Sequence, residues 1–590
     1  MTFRHLAEYF EKLETTASRL TMTEVLAALF KETQAQTIKE VTYLLQGRVA
    51  PLFVPLEFGI ADKMMMRAIA RATNSDEKTV MQAFKKHGDL GLTVQELKNK
   101  DKTTNLTIAE TFIELTRVAQ AGGAGSQDQK LQILSDLLQK ADGLSARYIV
   151  RIPLGKLRLG FSDMTILDAL SWMLTGNKKL RSKIEKAYNV RPDLGVIAQV
   201  IKKKGIEGLS EVEPEPGTPI LMARAERVAS AEDITLKIGP AAIEFKYDGF
   251  RLQVHKRGQK VTLYSRNLEN VTLMYPDIVT AALNEIKADS VIIEGEAIAY
   301  NPTTNEFLPF QETVQRKRKY DIAEVAKKIP LRFFIFDMLY ANGENYLHQP
   351  YTKRREMLEK IVRVSKDATF LISQSQIVTH PKQIERLFET AVSDGLEGIM
   401  AKRPDGTYQA GARNWNWIKF KRSYSGSLSD TIDVLIMGFD MGQGKRADFG
   451  IGDFLVGVYD KNNDRFVTMC KIGTGLSDEE WREVEKRCQT IKTKELPKDY
   501  EVDKAMECDV WVKPQIVVEI RADEITRSPV HTAGRIMGPT KTGGAQEVKE
   551  AGYALRFPRL ERFRDDKKPA DATTLDEIKQ LFSLQGNQNK

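Results

Sequence analysis

The chain has 590 residues, with 88 Lys and Arg against 80 Asp and Glu, and 42% of it is apolar. That length carries three or four domains of ordinary size, each with enough apolar content for its own core. A mean hydropathy of −0.36 and the lack of any run of about 18 uncharged apolar residues exclude a membrane-embedded chain. Three widely spaced cysteines, Cys470, Cys488 and Cys508, argue against a disulfide framework or a four-cysteine zinc site, and point to a reducing, cytoplasmic setting. The net charge of +8 hints at a polyanionic partner.

Residues 1–210 read as helical. Leu6, Tyr9, Phe10 and Leu13 form one apolar stripe, and Val25, Leu26, Leu29 and Phe30 another. Met64, Met65 and Met66 read as core filling, and Gly122–Ser126 as a break between helices. Ser162 or Asp163 reads as the N-cap of a helix ending near Gly176. The Pro- and Glu-rich stretch 211–219 marks a boundary. Short β-branched and aromatic runs follow at 242–245, 252–255, 261–264, 291–293 and 333–336, interleaved with helices at 351–364 and 382–394, which predicts a mixed α+β domain. A second boundary falls at 423–427. Strand-like runs at 431–439, 454–459, 465–471 and 510–520 then predict a small β-barrel, with a last helix at 574–584.

The most informative stretch is Glu244-Phe-Lys246-Tyr-Asp248-Gly249-Phe-Arg251, at the end of an apolar strand. A lysine held there, with Gly249 after it, is placed to meet a phosphate. Its amine becomes a nucleophile only if burial, a cation such as Arg251, or a metal lowers its pKa from about 10.4. The alternative is a charged surface strand. Glu296 and Glu397 are hard oxygen ligands suited to Mg²⁺; either one alone is more often a surface charge. Lys419 and Lys421 alternate along a strand and share a face. The six histidines show no zinc-hydrolase spacing, and no P-loop occurs.

Lys246-x-Asp-Gly-x-Arg251 resembles the signature of nucleotidyltransferases that form a covalent lysyl-nucleotide: DNA ligases, RNA ligases and capping enzymes. Further signatures follow in order. They are Ser265-Arg266, Glu294-Gly-Glu296 (where many relatives have Asp at the first position), Phe334-Ile-Phe336-Asp337, Glu397-Gly-Ile-Met-Ala-Lys402, Trp417-Ile-Lys419-Phe-Lys421 and Arg564-Asp-Asp-Lys567. The helical region 1–210, with its stretch Leu157–Leu170, resembles the DNA-binding domain of archaeal ATP-dependent DNA ligases and of the eukaryotic replicative ligase core.

The resemblance implies an all-α DNA-binding domain (1–210), an α+β nucleotidyltransferase domain (211–425) and an OB-fold β-barrel (426–590). It implies a monomeric enzyme that uses ATP and Mg²⁺ to seal nicked double-stranded DNA through lysyl-AMP in replication, repair and recombination, and leaves a sliding-clamp contact open. In it Lys246 is the nucleophile. Glu244, Arg251, Arg266, Glu296, Phe336, Arg413, Lys419 and Lys421 hold the nucleotide, and Glu296 and Glu397 the metal. Asp248 belongs to the signature, Arg564 and Lys567 orient pyrophosphate, and Lys156 and Arg158 meet the DNA backbone. An RNA ligase, a guanylyltransferase and a catalytically silent DNA clamp remain as alternatives. Within 141–210 there are 13 Lys and Arg against 6 Asp and Glu, which puts the expected duplex grip there.

Overall fold

The computed structural model describes residues 1–98, 104–304, 306–308, 310–317, 321–363, 365, 368–394, 396–421, 431–442, 449–474, 476–539 and 546–587. The chain divides into two compact units. One is made of residues 1–226, 238–378 and 401–418, the other of 227–237, 379–400 and 419–590.

From Phe3–Glu14 to Leu194–Lys204 the described chain is helical. Local signals start many of these helices. The Thr2, Ser18, Asp76, Asp89, Asp142 and Asp193 side chains each accept a hydrogen bond from an amide of the first turn, and Thr107 with Glu110 forms a capping box. The Ile108–Gln120 and Ser126–Lys140 helices flank the glycine-rich break. Ser162 stands at the N-cap of Asp163–Thr175, without a side-chain capping bond, and Gly176 ends that helix at φ 67°. Leu6, Phe10, Leu13, Leu26, Phe30, Met65 and Met66 share one continuous core. Val25 only packs against its edge.

The charge surplus of 141–210 is answered in part from elsewhere in the chain. Arg147 and Arg151 bridge to Glu14 at 2.7 and 2.8 Å, Lys156 to Asp62 at 2.9 Å and Arg191 to Glu215 at 3.1 Å. All of these acids lie outside the segment, so its net charge overstates the positive surface it presents.

Two sheets carry the middle of the chain. Strands β1 (Arg224–Arg227), β2 (Ala241–Lys246), β3 (Phe250–Arg257), β4 (Lys260–Ser265), β5 (Ser290–Ala299), β6 (Leu331–Ala341), β7 (Glu344–Asn345), β8 (Phe370–Ile372), β9 (Ser375–Val378), β10 (Gly398–Lys402) and β11 (Arg413–Lys421) follow one another. One sheet has the order β1-β11-β10-β2-β9, and the other β4-β3-β5-β6-β7 with β8 alongside β6. The run expected at 291–293 extends to Ala299, so Glu294 and Glu296 sit on the strand and not after it. The second sheet closes over a core of Leu252, Val254, Ile293, Phe333, Ile335 and Phe370.

In the second unit β12 (Ile432–Met441) pairs with β13 (Ile451–Asp460), which pairs with β14 (Arg465–Ile472). The run expected at 510–520 is two strands, Val510–Val512 and Val517–Arg521, interrupted around Pro514, which has no amide hydrogen for a ladder. Both lie against β12, at Gly438–Phe439 and at Ile432–Leu435. One long strand thus serves two short ones as the sheet curls. The Asp478–Thr490 helix plugs the sheet with Trp481, Val484 and Cys488. The expected boundary at 423–427 lies outside the described residues.

The helical core supplies a stability test. Asp193 Oδ1 accepts both the buried Tyr43 hydroxyl at 2.8 Å and the Val196 amide at 3.0 Å. Asp193→Ala removes a cap and strands a phenol, so we expect a loss of about 2–4 kcal/mol. Urea unfolding followed by far-ultraviolet circular dichroism reads it as an earlier first transition.

Candidate active site

Lys246 closes β2, half-buried, with Nζ 3.4 Å from the Tyr247 carbonyl. Two residues earlier on the strand, Glu244 is almost fully buried. Tyr351 donates its hydroxyl to Glu244 Oε1, and Lys402 Nζ lies 2.9 Å from Oε2. Burial raises the Tyr351 phenol well above its ordinary pKa, so it remains a donor. Lys402 also donates to the Phe336 carbonyl at 2.6 Å, and its ammonium sits over the rings of Phe336, Tyr351 and Trp417 at 4.7–5.0 Å. Phe336 itself is half-buried, with Trp417 edge-on at 5.9 Å and Arg251 over its ring at 5.3 Å.

The strand after the lysine brings three polar side chains to one face at two-residue spacing: Arg251, Gln253 and His255. Each holds the main chain of the segment 217–223. His255 Nδ1 accepts the Gly217 amide at 3.1 Å, and Gln253 bonds both the amide and the carbonyl of Ile220 at 2.7 and 3.2 Å. Arg251 donates to the Ala223 carbonyl at 2.8 Å. Tyr264 donates to the Gly217 carbonyl and Tyr408 accepts the Ala223 amide. Behind them Glu294, with no exposed surface, accepts from Arg251, Gln253 and Tyr408 at 2.8–3.0 Å. His255 is neutral here: burial drives its pKa down to about 3. Because Nδ1 accepts from an amide, the proton sits on Nε2 and is donated to Gln253 Oε1.

Glu296 lies opposite Arg251 in the β3–β5 ladder. Burial pushes its carboxyl up to about 6, while Lys246 and Arg251 pull the other way and Asp248 adds to the rise. It accepts a hydrogen bond from the Gly249 amide at 3.3 Å. Gly249 has no room for a side chain, since a Cβ would stand 2.2 Å from the Ala297 carbonyl oxygen. One strand further, Asp337 and Arg354 form a buried two-bond pair at 2.7 and 3.0 Å. Burial opposes the Asp337 charge, but Arg354 and Lys402 outweigh it and hold the carboxyl below the usual range.

Exposed Arg266 follows β4 and exposed Arg413 begins β11. Arg251, expected to reach for phosphate, is instead tied by two guanidinium nitrogens to Ala223 and Glu294. In the second unit Lys419 and Lys421 flank buried Phe420, which stacks on Phe388 at 4.3 Å. Lys421 is ion-paired with Glu397, so two residues expected to serve nucleotide and metal hold each other. Arg564 and Lys567 converge on Asp433, at 3.0 and 2.6 Å.

The family comparisons match this chain along nearly its whole length. The model for the ATP dependent DNA ligase domain matches residues 222–421, that for the DNA ligase N terminus 2–171, and that for the ATP dependent DNA ligase C terminal region 447–567. A probable DNA ligase of Dictyoglomus turgidum is 48% identical over 584 residues, 99% of this chain and 97% of that protein. The chain belongs to the ATP-dependent DNA ligase family. A DNA ligase of Saccharolobus solfataricus is 41% identical, over 99% of this chain and 98% of that one. The solved structure named Pmar-Lig_PreS3 shares the fold with a TM-score of 0.52, at 18% identity, over 95% of this chain and 99% of its own. In this ligase-family chain the helical N-terminal domain, the central nucleotidyltransferase domain and the C-terminal β domain thus follow in the expected order.

Sequence reading missed Gln253, His255, Tyr351 and Tyr408. A signal was present for the first two, as polar residues at alternate positions of an otherwise apolar strand. The His255 shift has a testable sign. Its folded pKa lies below the unfolded value of 6.5, so the unfolded chain binds the proton first. Stability should fall as pH drops below 6.5 and level off near 3. Denaturation midpoints across that range should be less pH-dependent in His255→Gln than in the parent chain.

Proposed function

We propose that the chain is a DNA ligase that seals nicks in duplex DNA with ATP, and that Lys246 is its nucleophile. What carries this reading is the position of Lys246, at a strand end and within electrostatic reach of the half-buried Glu296 carboxylate, in a chain of the ATP-dependent ligase family. Lys246 Nζ, once deprotonated, attacks the α-phosphorus of ATP. A phosphorus–nitrogen bond forms, the bond to the bridging oxygen breaks, and pyrophosphate leaves. AMP then passes to the 5′-phosphate of the nick, and the 3′-hydroxyl displaces it.

The remaining roles follow from chemistry. The Phe336 ring is a platform for adenine. The Glu244 carboxylate retains lone pairs beyond its bonds to Tyr351 and Lys402, and these suit the adenine amino group. Arg266 and Arg413 are exposed forks for ribose and phosphate oxygens. By resemblance, Lys419 and Lys421 neutralise α-phosphate charge, Arg564 and Lys567 orient pyrophosphate, and Lys156 and Arg158 meet the DNA backbone. The same reading divides the chain into a DNA-binding domain (1–210), an adenylation domain (211–425) and an OB-fold domain (426–590). Among the described residues there is no cluster of three or more metal-ligating side chains. Mg²⁺ keeps waters and substrate oxygens and so needs few protein carboxylates. The half-buried Glu296 fits such a cation, and Glu397 does so once released from Lys421. Bound there, Mg²⁺ supplies charge neutralisation at the phosphates.

Incubation with ATP and Mg²⁺ should add one AMP to the Lys246 peptide, read by mass spectrometry, and exclusive transfer of GMP from GTP would overturn the assignment. Lys246→Ala should lose nick sealing by at least about 10³-fold, yet still join a nick already carrying 5′-AMP. A chelator should suppress AMP transfer in the parent enzyme.

A further inference from the structure

Arg224 is an exposed residue at the start of β1, and none of the motifs contains it. Its amide donates to the Ala412 carbonyl at 2.9 Å, which sets it beside Arg413, and the carbonyl of the preceding residue, Ala223, is held by Arg251. Arg266 completes the group. The Arg266 side chain is exposed at its end but partly desolvated along its length, which lowers its pKa; Arg251, Arg224 and Arg413 lower it further as like charges, with Glu296 the opposing acid. No carboxylate pairs with Arg224, Arg266 or Arg413 among the described residues, whereas Arg251 is answered by Glu294.

Bringing like charges together without partners costs free energy, so the arrangement is maintained by something else. Here it is the hydrogen-bonded segment 217–223, fixed at Gly217, Ile220 and Ala223 by His255, Gln253, Tyr408 and Arg251. A guanidinium set held open in this way is matched by a polyanion with several oxygens in reach.

We infer that Arg224 is a further phosphate-binding residue of the site, presented by the 217–223 segment and acting with Arg266 and Arg413. The inference rests on the ligase reading. It names one ligand chemistry, a phosphate, with two sources: the triphosphate of ATP or the 5′-phosphate of the nick.

The test uses the full-length enzyme with Arg224→Ala and Arg224→Lys, and Arg266→Ala as a comparison. One arm measures the ATP concentration dependence of AMP transfer to Lys246. The other takes enzyme already carrying AMP and compares its binding to nicked duplexes bearing a 5′-phosphate or a 5′-hydroxyl. Arg224→Ala should weaken one of the two by about tenfold or more, with Arg224→Lys partly restoring it. A shift in the ATP dependence identifies the triphosphate, and a lost preference for the 5′-phosphate identifies the nick. Both arms unchanged within about twofold, with thermal unfolding also unchanged, would overturn the inference. If the parent enzyme takes no AMP, it is the ligase reading that fails.

Discussion

The row of polar side chains on one face of β3 is the constraint on which the site depends. Arg251, Gln253 and His255 treat the segment 217–223 as a neighbouring strand and supply with side chains the hydrogen bonds that a ladder would supply with backbone. Every group in the row has an assigned role. The neutral histidine accepts at one nitrogen and donates at the other, the amide side chain donates to two acceptors, and Glu294 receives what remains. A network bonded this densely is rigid, because any displaced member leaves a buried polar group unpaired. Its rigidity links the chain leaving the helical domain to the strand that follows Lys246.

The buried carboxylates divide by how completely they are satisfied. Glu244, Glu294 and Asp337 are each paired with a cation and further hydrogen-bonded, and their attraction offsets desolvation only because the geometry is good. Glu296 differs. It is only half-buried, and desolvation raises its pKa although Lys246 and Arg251 face it. The first three build the walls, and the fourth is the acid proposed to meet the ligand.

Much of the fold was legible because its signals are local. The period of Leu6, Tyr9, Phe10 and Leu13 and the helix stop at Gly176 act within a few residues. Many signature stretches lie on or beside strands, although β5 runs through Glu294 and Glu296 and Pro514 breaks the run expected at 510–520. What escaped was set by partners distant in the chain. The cations of 141–210 counted as a surplus until Glu14, Asp62 and Glu215 came beside them. Glu397 read as an open ligand, though Lys421 meets it across two strands. Arg224 carried no signal at all, because its setting is created by Ala412 and Arg251, far along the sequence in one case and across a strap in the other.

Gly249 shows what kind of information a motif glycine can hold. Its place is dictated by the Ala297 carbonyl standing where a Cβ would go, in the same stretch of ladder that sets Glu296 opposite Arg251. The residue therefore works as a spacer gauge: it registers the gap between the loop behind Lys246 and the carboxylate strand. Substitutions at most positions can be absorbed by a rotamer change, but here even a methyl group must be absorbed by moving a backbone. Whatever side chains surround it, this gap cannot be widened by one carbon at that point without shifting the backbone.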